Sequence, residues 1–124
     1  MLGRLDSVLG SIDDDIDFVI YAPPDIVPAH PRQKGKAALG AILLRVQAEF
    51  EYLSYRPHVV GADANSAAVA ILARLRRRST GDNVDLFISN FVRFRNGRMI
   101  EMREFVDHAD GVEKLFAGRN SSVK

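Results

Sequence analysis

The chain has 124 residues, 47% of them hydrophobic and 27% charged, the balance of a single globular domain that can bury a core without a metal or disulfide staple. Seventeen basic residues against sixteen acidic ones leave no overall field to draw nucleic acid or an anionic membrane, and the absence of cysteine excludes disulfides, thiolate nucleophiles and cysteine-ligated zinc. The opening residues have no apolar signal core and no apolar run, Ala41 to Leu44 included, is long enough to span a bilayer, so a cytoplasmic protein is expected.

Residues 5–12 read as a short helix ending near Asp13-Asp14-Asp15, and Ile16 to Tyr21 as a strand stopped by Pro23-Pro24. The stretch Pro23 to Arg32 holds four of the five prolines and reads as a loop or irregular edge, because proline cannot donate to a ladder. From Lys34 the period changes. Leu39, Ile42, Val46, Phe50 and Leu53 recur at spacings of three and four, which predicts an amphipathic helix of about four turns. Tyr52 to Ala62, Ser66 to Ser79, Val84 to Arg95 and Arg98 to Val106 then read as four strands, joined by turns at Ala64-Asn65, Thr80 to Asn83 and Asn96-Gly97. A closing helix over 108–117, entered through a cap at Asp107 and ended by Gly118, completes a single domain over 1–118, with 119–124 as a flexible tail.

Helix, strand, helix and four turn-linked strands make an α+β fold. A curved antiparallel sheet with its helices packed on the concave face forms a cone, whose mouth is a natural ligand site.

The run Phe91-Val-Arg-Phe-Arg-Asn-Gly-Arg-Met-Ile-Glu-Met-Arg-Glu-Phe-Val-Asp107 resembles the C-terminal signature of the NTF2-like superfamily, in its SnoaL-like and ketosteroid-isomerase-like branch. The Gly35-initiated helix and the Arg76-Arg-Arg-Ser-Thr-Gly81 strand end fit the same pattern. The resemblance implies the cone and its pocket but leaves the chemistry to individual side chains, since the family spans isomerases, cyclases, epoxide hydrolases, dehydratases and proteins that only bind or dimerise. One departure is the long first helix of the family, for which only Leu5 to Ile12 is at hand; in ketosteroid isomerases that helix supplies an oxyanion-hole tyrosine, which has no counterpart here.

Which side chains enter the pocket depends on the hairpin at Asn96-Gly97. A two-residue type I′ loop pairs Arg95 with Arg98 and places Arg103 on the face of Asn90. A three-residue loop with Gly97 in a bulge pairs Phe94 with Arg98, Asn90 with Met102 and Ile88 with Glu104. The second register is preferred, because it joins Leu86, Ile88, Val92 and Phe94 to Ile100, Met102 and Val106 on one apolar face. Glu104 is then a carboxylate on an apolar wall, where burial raises its pKa toward the range of a general acid or base.

Glu104 matches the acidic position of the Arg-Asp-aromatic motif of limonene-type epoxide hydrolases, here Arg103-Glu104-Phe105, but Ile71 and Ala73 stand where those enzymes carry an arginine and an aspartate. Asn90 falls where ketosteroid isomerases carry the acid that hydrogen-bonds the enolate, and an amide can donate there. The isomerase base falls at Ile20 or Tyr21, neither a carboxylate; Tyr21 is the candidate hydrogen-bonding group at the mouth. The expected catalytic set is Glu104, Asn90 and Tyr21, and the expected substrate-binding wall is Leu86, Ile88, Val92, Met102 and Val106. Arg74, Arg76 and Arg78 read as a solvated outer face, and His30, His58 and His108 have no metal-ligand spacing. No cofactor, metal, nucleic acid or membrane is expected. The expected partner is a small apolar molecule bearing a carbonyl or hydroxyl, handled by isomerase, cyclase or hydratase chemistry. The rival is a non-catalytic binding or dimerisation module, a homodimer formed through the outward set Phe87, Phe91 and Phe105.

Overall fold

The computed structural model describes residues 11–27 and 30–110. In chain order these form β1 (Ile12–Tyr21), β2 (His30–Lys34), α1 (Lys36–Glu49), β3 (Phe50–Ala62), β4 (Ser66–Arg77), β5 (Asn83–Arg95) and β6 (Arg98–His108). They build one curved, unclosed sheet in the order β2-β1-β6-β5-β4-β3. Neighbours run antiparallel except β1 and β6, which are parallel, so the sheet is mixed where an antiparallel one was expected.

The expected element order needs two amendments. Ile12 already belongs to β1, because it is buried in the core and its neighbour Ser11 accepts the Met99 N–H at 2.9 Å. Between Ile12 and Asp17 the pairing with β6 is interrupted, so the acidic run bulges out of the ladder instead of ending a helix. The proline-rich stretch, in turn, yields β2, an edge strand antiparallel to β1, where a proline leaves no ladder bond unmade on its open side. Asp107, expected as a helix cap, lies within β6, and the predicted helix over 108–117, the tail and most of residues 5–12 lie outside the described residues.

Helix α1 starts at Gly35, whose φ of 104° is open to glycine and strained for other residues, and whose N–H bonds to Ile16 O at 2.8 Å. Its stripe of Leu39, Ile42 and Val46 packs on the core, joined by Leu43. Phe50, expected as the next residue of that stripe, instead opens β3 and is fully buried. On the sheet side the core gathers Ile16, Phe18 and Ile20 of β1, Ile71, Ala73 and Leu75 of β4, Leu86 and Val92 of β5, and Met102 and Val106 of β6. Each follows the two-residue alternation of a strand with one covered face.

Three further bulges, in β3 and β6, add curl to this sheet. Leu53 and Val60 are extra residues in β3 opposite β4, and Ile100 is extra in β6 opposite β5. Each adds twist and bend to its strand, turning the sheet about the apolar interior. The turn after β1 is pinned through Asp25: its carbonyl accepts from Arg77 Nη2 at 3.0 Å, and its carboxylate lies 3.4 Å from His108 Nε2. Arg77 itself sits 4.7 Å over the Phe50 ring. No described helix is long and apolar enough to cross a membrane.

Candidate active site

The site follows from the register of the β5–β6 hairpin. Asn96 and Gly97 have φ of 53° and 75°, the signature of a two-residue type I′ loop, and Arg95 pairs with Arg98. The three-residue loop expected from the apolar pattern does not form. The bulge at Ile100 then shifts the pairing by one, so that beyond it Val92 faces Met102, Asn90 faces Glu104 and Ile88 faces Val106. This restores the expected face by another route: Glu104 and Asn90 share the inner wall, while Arg103 turns outward.

A row of paired residues now crosses four strands, Val69 to Asn90 to Glu104 to Ile20. Within it Asn90 Nδ2 donates to Glu104 Oε1 at 2.9 Å. Burial pushes the Glu104 carboxyl up from the ordinary 4.5 to about 7. Among the described residues no cation pairs with it. The neighbouring Arg103 is committed elsewhere, donating from Nη1 to Asp17 O and Met102 O, both at 3.0 Å, and lying 3.6 Å from the Asp17 carboxylate. Arg32 also grips that carboxylate through Nε and Nη2, and its hydrogen bond holds Asp17 below the usual range.

Two tyrosines with no sequence signal for the site lie close enough to Glu104 to feel its charge. Tyr52 and Tyr55 on β3 are both partly buried against the core, their rings edge to face with centroids 6.1 Å apart. Desolvation raises both phenols, Tyr55 to about 12, and the charge of Glu104 adds to it. Both stay protonated donors at neutral pH. Residues three apart in a regular strand point to opposite faces; the bulge at Leu53 turns both inward, and no residue pattern announces that bulge.

Of the expected wall, Leu86, Val92, Met102 and Val106 lie in the core cluster and Ile88 packs against it, around the Asn90–Glu104 pair. Tyr21 is not with them. It pairs with Phe105, one residue on from Glu104, and so faces outward, 56% exposed, with its ring stacked on Phe105 at 5.1 Å. Strand alternation separates it from Glu104, and Ile20 takes the inner position. Phe91 meets Phe105 edge to face at 6.2 Å on the same outer surface. A depression of about 430 Å³ there, beside Gly61, Ala68, Phe91 and Arg93, does not include Glu104. Three of the outer arginines are paired: Arg74 with Asp85 at 2.7 Å, Arg93 with Glu101 at 3.3 Å and Arg76 with Glu51 at 3.9 Å.

A curved, unclosed sheet with a helix on its concave side and a half-buried acid–amide pair on the inner wall defines an NTF2-like α+β cone. The sequence pattern of the SnoaL-like domain matches residues 3–102, and the chain belongs to that family. No curated protein is similar enough in sequence to match it. Among solved structures, a proposed isomerase from Rhodopseudomonas palustris is 26% identical, with 94% of this chain and 96% of that one covered and a TM-score of 0.74. An NTF2-like protein from Burkholderia xenovorans LB400 is 25% identical over 86% of this chain and 79% of its own, with a TM-score of 0.69. A proposed SnoaL-like polyketide cyclase from Mesorhizobium loti, 18% identical over 83% and 86% with a TM-score of 0.67, shares the fold.

Proposed function

We propose that this SnoaL-like domain binds a small apolar metabolite in its cone and moves a proton on it through Glu104, in chemistry of the isomerase, cyclase or hydratase type. The observation that carries the reading is the hydrogen bond of Asn90 to Glu104 on the apolar inner wall, where desolvation pushes the carboxyl up to about 7. An acid poised there is populated in both forms at neutral pH, which is what proton abstraction and return require. Asn90 orients the carboxyl, Tyr52 and Tyr55 supply neutral hydroxyls near it, and Ile88 with its apolar neighbours forms the wall. The proposed isomerase among the similar structures fits this class of reaction.

The test is deuterium wash-in from heavy water, followed by NMR, into cyclic enones and 1,3-diketones. Exchange at the carbon next to the carbonyl, lost in Glu104→Gln, is the expected result. Exchange that survives the substitution contradicts the assignment of Glu104.

The outer face favours a second reading, which is compatible with the first: a homodimer formed through the sheet. Tyr21, Phe91 and Phe105 form a contiguous ring cluster that is 41–56% exposed, and Leu72 adds to the apolar surface. A mass measurement in solution tests it, and a stable monomer removes it.

A further inference from the structure

Asn90 has two hydrogen-bonding atoms, and the protein uses one of them. Nδ2 donates to Glu104, while Oδ1 is buried and, among the described residues, has no hydrogen-bond partner. A buried acceptor left unpaired is a standing cost, and such groups in native proteins are met by a partner, water or ligand. Neither tyrosine hydroxyl bonds to it, although both lie close enough to Glu104 to feel its charge.

The chemistry of the pair fixes what that partner must be. A carboxylate has only acceptors, so when Glu104 is ionised the amide must present its N–H to it, leaving Oδ1 as the free valence. When Glu104 is protonated, its O–H can donate to Oδ1 after a half-turn of the amide, and Nδ2 becomes the free valence instead. The ionised form therefore accepts a donor from a ligand, and the protonated form donates to an acceptor. The arrangement in the structure is the first.

We propose that Asn90 Oδ1 is the recognition point for a hydroxyl group, so that the cone takes an apolar alcohol or enol with its hydroxyl on Asn90 and the adjoining carbon toward Glu104. Asn90 is then the specificity-determining residue through its acceptor atom, and ligand class is coupled to the charge of its neighbour. The inference rests on the reading of Glu104 as an acid on the inner wall of a ligand-binding cone. Among the described residues, the titratable groups that act with Glu104 are Tyr52 and Tyr55 from β3, which stay neutral through the relevant range. Asn90 from β5 and Ile20 from β1 do not titrate, and the Arg103–Asp17–Arg32 group lies on the other side of the sheet.

The probes are 1,2,3,4-tetrahydro-1-naphthol and 1-tetralone, which share a skeleton and differ in presenting a hydroxyl or a carbonyl. Calorimetry on the full chain, below and above the titration of Glu104, should find the alcohol binding about tenfold more tightly above it and the ketone more tightly below it. In the wild type, saturating alcohol should lower the pKa of Glu104 and saturating ketone should raise it, read from the carboxyl carbon by NMR. Asn90→Leu should bind both probes through the skeleton and lose the discrimination. Equal binding of the two probes at both pH values, or a preference that persists in Asn90→Leu, overturns the proposal and leaves the cone reading standing. Failure of both probes to bind overturns both, and the wild-type titration decides the matter if Asn90→Leu does not fold.

Discussion

Replacing Glu104 with glutamine should change stability in a way that depends on pH. In the unfolded chain the Glu104 carboxyl ionises near 4.5, and in the folded protein near 7. Between these values the folded state holds a proton that the unfolded state has released, so stability falls as pH rises from 4.5 to about 7, and the loss is complete above that. At about 1.36 kcal/mol per unit of pKa, ionised Glu104 costs the fold about 3 kcal/mol. Glutamine keeps the shape and can still accept from Asn90 Nδ2, yet never ionises. Glu104→Gln should match the wild type within about 1 kcal/mol near pH 4 and exceed it by about 3 kcal/mol near pH 8.5, roughly 10 °C in Tm. Urea unfolding of both proteins at the two pH values measures this, and titrations elsewhere in the chain cancel in the difference. A gap of the same size at both pH values would refute the burial argument.

Gly97→Ala places a side chain at a φ of 75° and should cost about 1 kcal/mol, read as a lower urea midpoint; an unchanged midpoint would contradict the type I′ loop. Asp17 is held below its usual pKa chiefly by the Arg32 hydrogen bond, so it stabilises the fold above the unfolded value and that support is lost as pH falls through the folded one. Arg32→Ala should therefore speed hydrogen exchange in β2 at neutral pH and leave the rate unchanged once Asp17 is protonated. Phe105→Lys breaks the stack with Tyr21 and puts a charge into the exposed ring cluster, and by sedimentation it should convert a dimer to monomer.

Strand alternation made the fold and one half of the site legible. The apolar residues of β5 and β6 placed Glu104 and Asn90 together because both strands must bury one face, whatever the loop between them. The route was not legible: the Asn-Gly loop set one register and the bulge at Ile100 corrected it, and a bulge has no composition of its own. The same physics hid Tyr52 and Tyr55, which face inward together only through the bulge at Leu53. Tyr21 was misplaced for want of strand pairing, since its face is set by its parallel neighbour Phe105, distant in sequence. The prolines read correctly as barring a central strand, while an edge strand remained open to them.

The central claim is that the fold holds Glu104 as an acid poised at neutrality. NMR titration of its carboxyl carbon in glutamate-labelled protein, assigned by comparison with Glu104→Gln, tests it directly. The account predicts a midpoint at about 7. A midpoint at the ordinary 4.5 would contradict it.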